Sequence, residues 1–416
     1  MKRVFIVVML LFPVSVFAQD ITLQECFKYI DNNHPKADKK VLLNKSLQSK
    51  VDLLKKNLLP QVNFEAKATY QSDVVSFPFS IPNQNMEELD KDQYKASIEV
   101  AQIIYGGGIT KLAIEHEKSA TAVEQQQVEV SLYNIKKMVL QSFFSVLLLQ
   151  QQKEVLITIL EKIDSKKKQL NVAVEEGVAL SSELNILFVE IIKLNRQINQ
   201  LQKNRQSAIQ VLSQLTGGEF DIKSNFILPK TELKNKNYFV NRPEMLLLDS
   251  RNNQIVSLKN IAENKNNPKL FAFANVGYGK PGINMLLNEF DDYYIAGIGV
   301  SWKVWDWQKS KEEIKILDLN SEIIKKEKEN MIKNFNIKLI QIESEIENLQ
   351  NLLHDDRRII SLQKEIVKTY SAKLDNGTIT MSEYIDRVNE EKQANLNFKI
   401  HTLKLTKAKI DYNMNL

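Results

Sequence analysis

The chain has little in it that turns or breaks a backbone. Only 12 glycines and 9 prolines are spread over 416 residues, too few turn-formers for the loops of two or three ordinary globular domains. A single cysteine, Cys26, excludes an internal disulfide. The four histidines, His34, His116, His354 and His401, share no metal-ligand spacing, and no metal site is expected. Glu115-His116-Glu117 reads as a solvated helix face. No nucleophile elbow occurs, so the chain is not expected to be an enzyme or to hold a cofactor. Gly277-Tyr278-Gly279-Lys280-Pro281-Gly282 fits G-x-G-x-x-G, but that fingerprint must open a helix and Pro281 interrupts it. It reads as a strand end and its loop. The formal charge of +5 is mixed along the chain, which makes nucleic acid a poor partner, and Lys325 to Lys333 reads as the water-facing side of a helix.

Long apolar runs are also missing once the N-terminus is passed, where nothing approaches the roughly 18 residues of a spanning helix. At the N-terminus, Lys2 and Arg3 precede an apolar run from Val4 to Phe12, and Val16-Phe17-Ala18 has the small-residue pattern of a signal-peptidase site. Residues 1–18 are expected to be a signal peptide, and the mature chain to leave the cytoplasm. Leu23-Gln24-Glu25 before Cys26 is not a lipoprotein box, so lipid anchoring is not expected.

What the chain does have is repetition. Pro35 recurs as Pro243 and Pro60 as Pro268, a shift of 208, while Tyr105 answers to Trp305 and Gly177 to Gly377, a shift of 200. The spacing predicts a first repeat over 19–216, a linker over 217–240 and a second repeat over 241–416. The extra eight residues fall between Pro60 and Tyr105, where a longer loop containing Phe77-Pro78-Phe79-Ser80-Ile81-Pro82 lies.

Each repeat has a stretch free of proline and glycine, from Ile109 to Val174 and from Lys309 to Leu374, long enough for a helix of roughly 100 Å. A 4,3 spacing selects Ile332, Phe335, Leu339, Ile342, Ile346, Leu349, Leu353, Asp356, Ile360, Gln363, Val367, Tyr370 and Leu374. Two hundred residues earlier it selects Leu132, Ile135, Val139, Ser142, Val146, Leu149, Lys153, Leu156, Leu160, Ile163, Lys167, Leu170 and Val174. A sustained 3.5-residue repeat requires a partner helix in a left-handed coil. The partner follows each tip glycine, Gly177 or Gly377, giving one helical hairpin per repeat. Shorter helices are expected after Pro35 and Pro243, with proline in the first turn.

Two strands per repeat are expected from period-two alternation, over about 62–70, 94–104, 270–278 and 293–304. Val62, Phe64, Ala66, Ala68 and Tyr70 alternate with Asn63, Glu65, Lys67 and Thr69. About ten residues suffice to cross a bilayer within a barrel. Four strands cannot close one, so spanning strands would force oligomerisation.

This layout resembles the TolC-type outer-membrane efflux family. Leu59-Pro60-Gln61 is similar to that family's helix-to-strand junction, with Asn267-Pro268 as its echo, and Arg242-Pro243-Glu244 is similar to the opening of its second repeat. Tyr105-Gly106-Gly107-Gly108 and Val304-Trp305-Asp306-Trp307-Gln308 resemble its strand-to-helix turns, with Gly106 in place of the Asp in one and both glycines lost in the other. The resemblance implies a mainly α fold with a transmembrane β part. A homotrimer would form a 12-stranded β-barrel continuous with a periplasmic α-helical barrel, in outer-membrane lipid. Its implied role is a passive exit duct, joined through a periplasmic adaptor (membrane fusion) protein to an inner-membrane transporter.

It also implies site residues. Gly177, Val178, Leu180 and Ser181, with Gly377, Thr378, Ile379 and Thr380, would be the tips that meet the adaptor. Glu383 and Asp386, three residues apart, with Glu183 in the first repeat, would ring the periplasmic mouth. Ile379 and Leu374 stand where some relatives have a basic and an aromatic residue. The alternative is a soluble periplasmic coiled-coil adaptor or scaffold whose strands form a small sheet. Cargo has no readable signature.

Overall fold

A computed structural model describes residues 20–75, 90–234 and 242–416. The expected signal peptide and the 77–82 motif lie outside the described residues. In chain order the elements are β1 (Asp20–Ile21), α1 (Leu23–Asn33), α2 (Pro35–Lys56), β2 (Gln61–Tyr70), β3 (Asp92–Tyr105), α3 (Ile109–Glu175) and α4 (Ser181–Thr216). They continue as β4 (Asn225–Phe226), α5 (Pro243–Asn264), β5 (Lys269–Lys280), β6 (Asp291–Ser301), α6 (Lys309–Asp375) and α7 (Met381–Asn415). α2 and α5 are both 22 residues long and begin at Pro35 and Pro243. α3 and α6 are both 67 residues long and begin 200 residues apart. The chain separates into two units, residues 39–127 with 244–329, and residues 1–38 with 128–243 and 330–416.

The first of these units holds a four-stranded antiparallel sheet in the order β2-β3-β5-β6. Its register sets Val62 beside Val100, Ala274 and Ala296, and Phe64 beside Ile98, Val276 and Tyr294. Because side chains alternate along a strand, these rows share one apolar face. Phe64, Val276, Tyr294, Ile298 and Val300 on it are exposed. On the opposite face, Asn63 lies beside Glu99 and Asn275, and Lys67 beside Lys95. The glycine-rich fourth strand has its own reason. A Cβ at Gly299 would come within 2.5 Å of Phe271 Cζ, and one at Gly277 within 2.4 Å of the Tyr293 ring, so the glycines make room for aromatic rings lying across the neighbouring strand. Gly277 is thus a strand residue under a ring, and β6 ends at Ser301 instead of running to 304.

In the second unit, every position of the two 4,3 stripes is buried or half-buried. The second stripe's charged member, Asp356, is buried and lies 2.7 Å from His401 Nδ1 on α7, a partner that offsets the cost of taking a carboxylate out of water. α3 carries helix apolar enough by composition to pass for a membrane span. Its Val139, Leu140, Phe143 and Leu147 are instead almost fully buried.

Part of that burial comes from elements the periodicity did not reveal. The expected linker 217–240 contains β4, which pairs in parallel with β1. Its Phe226 packs edge-on against Phe143 at 5.5 Å. Arg205 ties the turn before it by donating to Ile222 O at 2.5 Å. α1 starts with a capping box, in which Glu25 N donates to Thr22 Oγ1 and Glu25 Oε2 accepts from Thr22 N at 2.8 Å. Cys26 on this helix is fully buried, and burial first, with Glu25 nearby second, pushes its thiol up to about 12.

Candidate functional site

The two hairpin tips have the same backbone. Gly177 and Gly377 take φ of 75° and 67°. Val178 N donates to Ala173 O at 2.8 Å and Gly177 N to Val174 O at 3.1 Å. Two hundred residues on, Thr378 N donates to Lys373 O at 3.0 Å and Gly377 N to Leu374 O at 2.9 Å. This pairing satisfies the last carbonyls of α3 and α6 and needs a left-handed residue at the glycine. No atom lies within 4 Å of where a Cβ would stand at either glycine, so conformation and not crowding demands glycine there.

The next residues differ in chemistry. Thr380 caps α7 in a full capping box, with Glu383 N donating to Thr380 Oγ1 at 3.3 Å and Glu383 Oε2 accepting from Thr380 N at 2.8 Å. The Thr380 backbone N–H, then its hydroxyl, hold the Glu383 carboxyl below its ordinary value of 4.5. Leu180 stands at the same place before α4 and offers no side-chain cap. Leu180 is 71% exposed and Val178 80% exposed, so the first tip presents an apolar pair where the second presents Thr378 and Thr380. Ser181 is exposed, Glu183 half-buried, and Ile379 packs against the core beneath the tips with Leu374.

Met381, Tyr384, Ile385 and Val388 form the inward face of α7, leaving Glu383 and Asp386 exposed on the remaining arc. The inward face joins Leu156, Ile159 and Ile163 of α3 and Leu187 and Leu194 of α4 in one core. Around it lie ion pairs that the periodicity did not signal. Lys162 reaches Glu391 and Lys166 reaches Asp375, both at 2.5 Å, and Lys392 lies 3.8 Å from Glu190. Each joins the first hairpin to the second. Comparing the repeats position by position would have exposed them, because Lys162 and Lys166 answer to Leu362 and Ile366.

The strand-to-helix turns also match in backbone and differ in chemistry. Gly107 and Gly108 have φ of 66° and 82°, and Trp307 and Gln308 have 56° and 60°. Side chains in that region cost roughly 1 kcal/mol each. In the second turn Asp306 offsets this, accepting from Ser310 N at 3.0 Å and Asn266 Nδ2 at 2.6 Å, as well as from the Ser310 hydroxyl. The hydroxyl is the largest cause that takes its carboxyl down to about 2, followed by Asn266. Gly106 replaces that clamp where glycine freedom makes it unnecessary. Trp305 is exposed and meets Trp307 edge-on at 6.0 Å. Pro60 and Pro268 immediately precede β2 and β5. Asn267 Nδ2 donates to Gly107 O at 3.1 Å, and a Cβ on Gly107 would stand 2.9 Å from Asn267 Cβ, so the first turn closes on the second junction.

Residues 33–218 match the family model described as outer membrane efflux protein. Over those residues the chain is similar to the outer membrane efflux protein family. Solved structures extend the fold likeness to nearly the whole chain. VceC from Vibrio cholerae superposes with a TM-score of 0.66 at 11% identity, over 94% of this chain and 95% of that one. The CmeC channel of Campylobacter jejuni gives 0.67 at 13% identity, over 94% and 85%. The open-state MtrE channel of Neisseria gonorrhoeae gives 0.66 at 12% identity, over 94% and 88%. No curated protein matches the chain by sequence. The match and the shared fold favour an outer-membrane efflux channel with a large periplasmic part over the soluble adaptor alternative.

Proposed function

We propose that the chain works as a homotrimeric exit duct. Three four-stranded sheets close a 12-stranded barrel, and the helical hairpins line the periplasmic path. The observation that carries this reading is the sheet. It has one exposed apolar face, one face with Lys67, Lys95, Glu65 and Glu99, and outer edges of β2 and β6 that no described strand pairs. Unpaired edges are not tolerated in lipid, so other copies must meet them. Substrate passes without chemistry, driven by an inner-membrane transporter through a periplasmic adaptor.

The first tip is the stronger adaptor contact in this reading. An exposed Val178 and Leu180, with a helix start left uncapped, are a local cost that a docking partner offsets. Asp386 and Glu383 face the mouth, Glu383 with its carboxylate already engaged by Thr380, and Glu183 adds a third carboxylate per copy. The test is sizing of the purified chain in mild detergent and conductance in planar bilayers. A trimer with ohmic conductance blocked by divalent cations is expected, with block weakened severalfold in Asp386→Asn combined with Glu383→Gln, which keeps the cap. A monomer soluble without detergent would remove the duct reading, and unchanged block would remove the two carboxylates from the mouth.

A further inference from the structure

Because the helices are built twice, a surface that only the backbone requires should look alike in both halves, and one groove does not. In the second unit α3, α4 and α7 enclose an open groove of about 720 Å³, a size that holds a small molecule. Its walls are Met138, Phe144 and Leu148 of α3, Val211 and Leu215 of α4, and Ile400 of α7. Two hundred residues on, the first five of these answer to Lys338, Ser344, Asn348, Asp411 and Asn415. The same helices therefore form with polar residues at those positions. Met138 and Val211 are nevertheless 55% and 51% exposed, and apolar side chains gathered in one open concavity mark a surface that a ligand covers. β4 does not cover it. Phe226 meets α3 at Phe143, whereas Met138 and Ser145, five and two residues from Phe143, lie on another arc of that helix.

Charge narrows the choice of ligand. Lys404 and Lys407 stand three residues apart on one face of α7 and line the same groove. Lys407 pairs with Asp411 at 2.7 Å. Lys404 is exposed and has no ion pair among the described residues, and no acidic side chain lines the groove. The first-repeat equivalents of the two lysines are Asn204 and Ser207, so the charge is as particular to this groove as its apolar walls are. We propose that the groove binds a small, soluble amphipathic anion. Its apolar body lies along Met138, Phe144 and Val211, which takes them out of water, and its carboxylate or sulfonate answers the unpaired ammonium of Lys404. The occupant is a solute and not a bilayer lipid, because the groove belongs to the helical unit and the apolar sheet to the other. Every wall comes from one chain, so the site does not require the trimer.

The experiment is fluorescence titration of the full chain in nanodiscs of zwitterionic lipid, with empty discs as the blank. The probes are anilinonaphthalene sulfonate, an amphipathic anion, and the uncharged phenylnaphthylamine. Wild type should bind one equivalent of each dye per chain. Lys404→Glu should weaken the sulfonate about tenfold and leave the uncharged dye unchanged, and Lys404→Arg should restore the sulfonate. Ala208→Phe, which narrows the groove from the α4 side, should weaken both dyes. Equal sulfonate binding by wild type and Lys404→Glu overturns the site, as does undiminished binding of both dyes by Ala208→Phe. No saturable binding above the empty discs overturns it too, and in a chain that sizes as a trimer places another copy in the groove. A chain that sizes as a monomer yet keeps the Lys404-dependent difference between the dyes supports the site and overturns only the duct reading.

Discussion

Glu383 shows how one carboxylate can be claimed twice. Its place on the exposed arc with Asp386 was readable from a spacing of three, but its bond to the Thr380 N–H was a matter of which way the side chain turned. Thr380-x-x-Glu383 is itself a capping-box pattern, so the engagement is legible in the residues. The consequence has a definite sign. A carboxyl held below its ordinary value contributes stability that is present above the unfolded value and is lost as pH falls through the folded one. The start of α7 should therefore hold at neutral pH and fray as the solution is taken below 4.5. Hydrogen exchange at the Glu383 and Tyr384 amides should accelerate on acidification relative to α7's centre. In Glu383→Gln, which accepts the same bond without titrating, that acceleration should vanish; if it persists, the cap is not its source.

At the scale of elements, the repeats agree in backbone and differ in how they meet its demands. One strand-to-helix turn uses Gly107 and Gly108, and the other holds Trp307 and Gln308 in the same left-handed region with Asp306 as a clamp. One tip caps its second helix with Thr380, and the other leaves Leu180 there. Leu180→Thr should complete a capping box with Glu183 and stabilise the start of α4 by about 1 kcal/mol. If the apolar tip docks an adaptor, the same change should reduce efflux in cells while raising the thermal midpoint. A stabilised variant with full efflux would take Leu180 out of the contact. The hairpins were legible because a 4,3 stripe states its own geometry, down to Asp356, which the stripe placed inside and His401 accommodates. The elements β1 and β4 were not, since strands of two residues have no period to detect.

For the whole molecule, the sheet's two faces decide which solvent each meets. Val276 sits in the middle of an apolar row with Phe64, Ile98 and Tyr294, and Glu65 on the opposite face lies beside Ser97. Val276→Lys should cost about 2–4 kcal/mol in the membrane and deplete trimer from the outer-membrane fraction, whereas Glu65→Lys should leave assembly intact and change only ion selectivity. Equal tolerance of both would mean that the apolar face does not meet lipid. The sequence by itself determined the duplication, the two long helices, the tip glycines and the alternation of the strands, because each is a periodicity or a backbone need written in neighbouring residues. Tertiary structure alone decided the strand order β2-β3-β5-β6, the glycines that admit aromatic rings, the packing of Phe226 on Phe143, and the ion pairs between hairpins. All of these join residues far apart in the chain, where no local period reaches and only the closing of the fold determines which side chains meet.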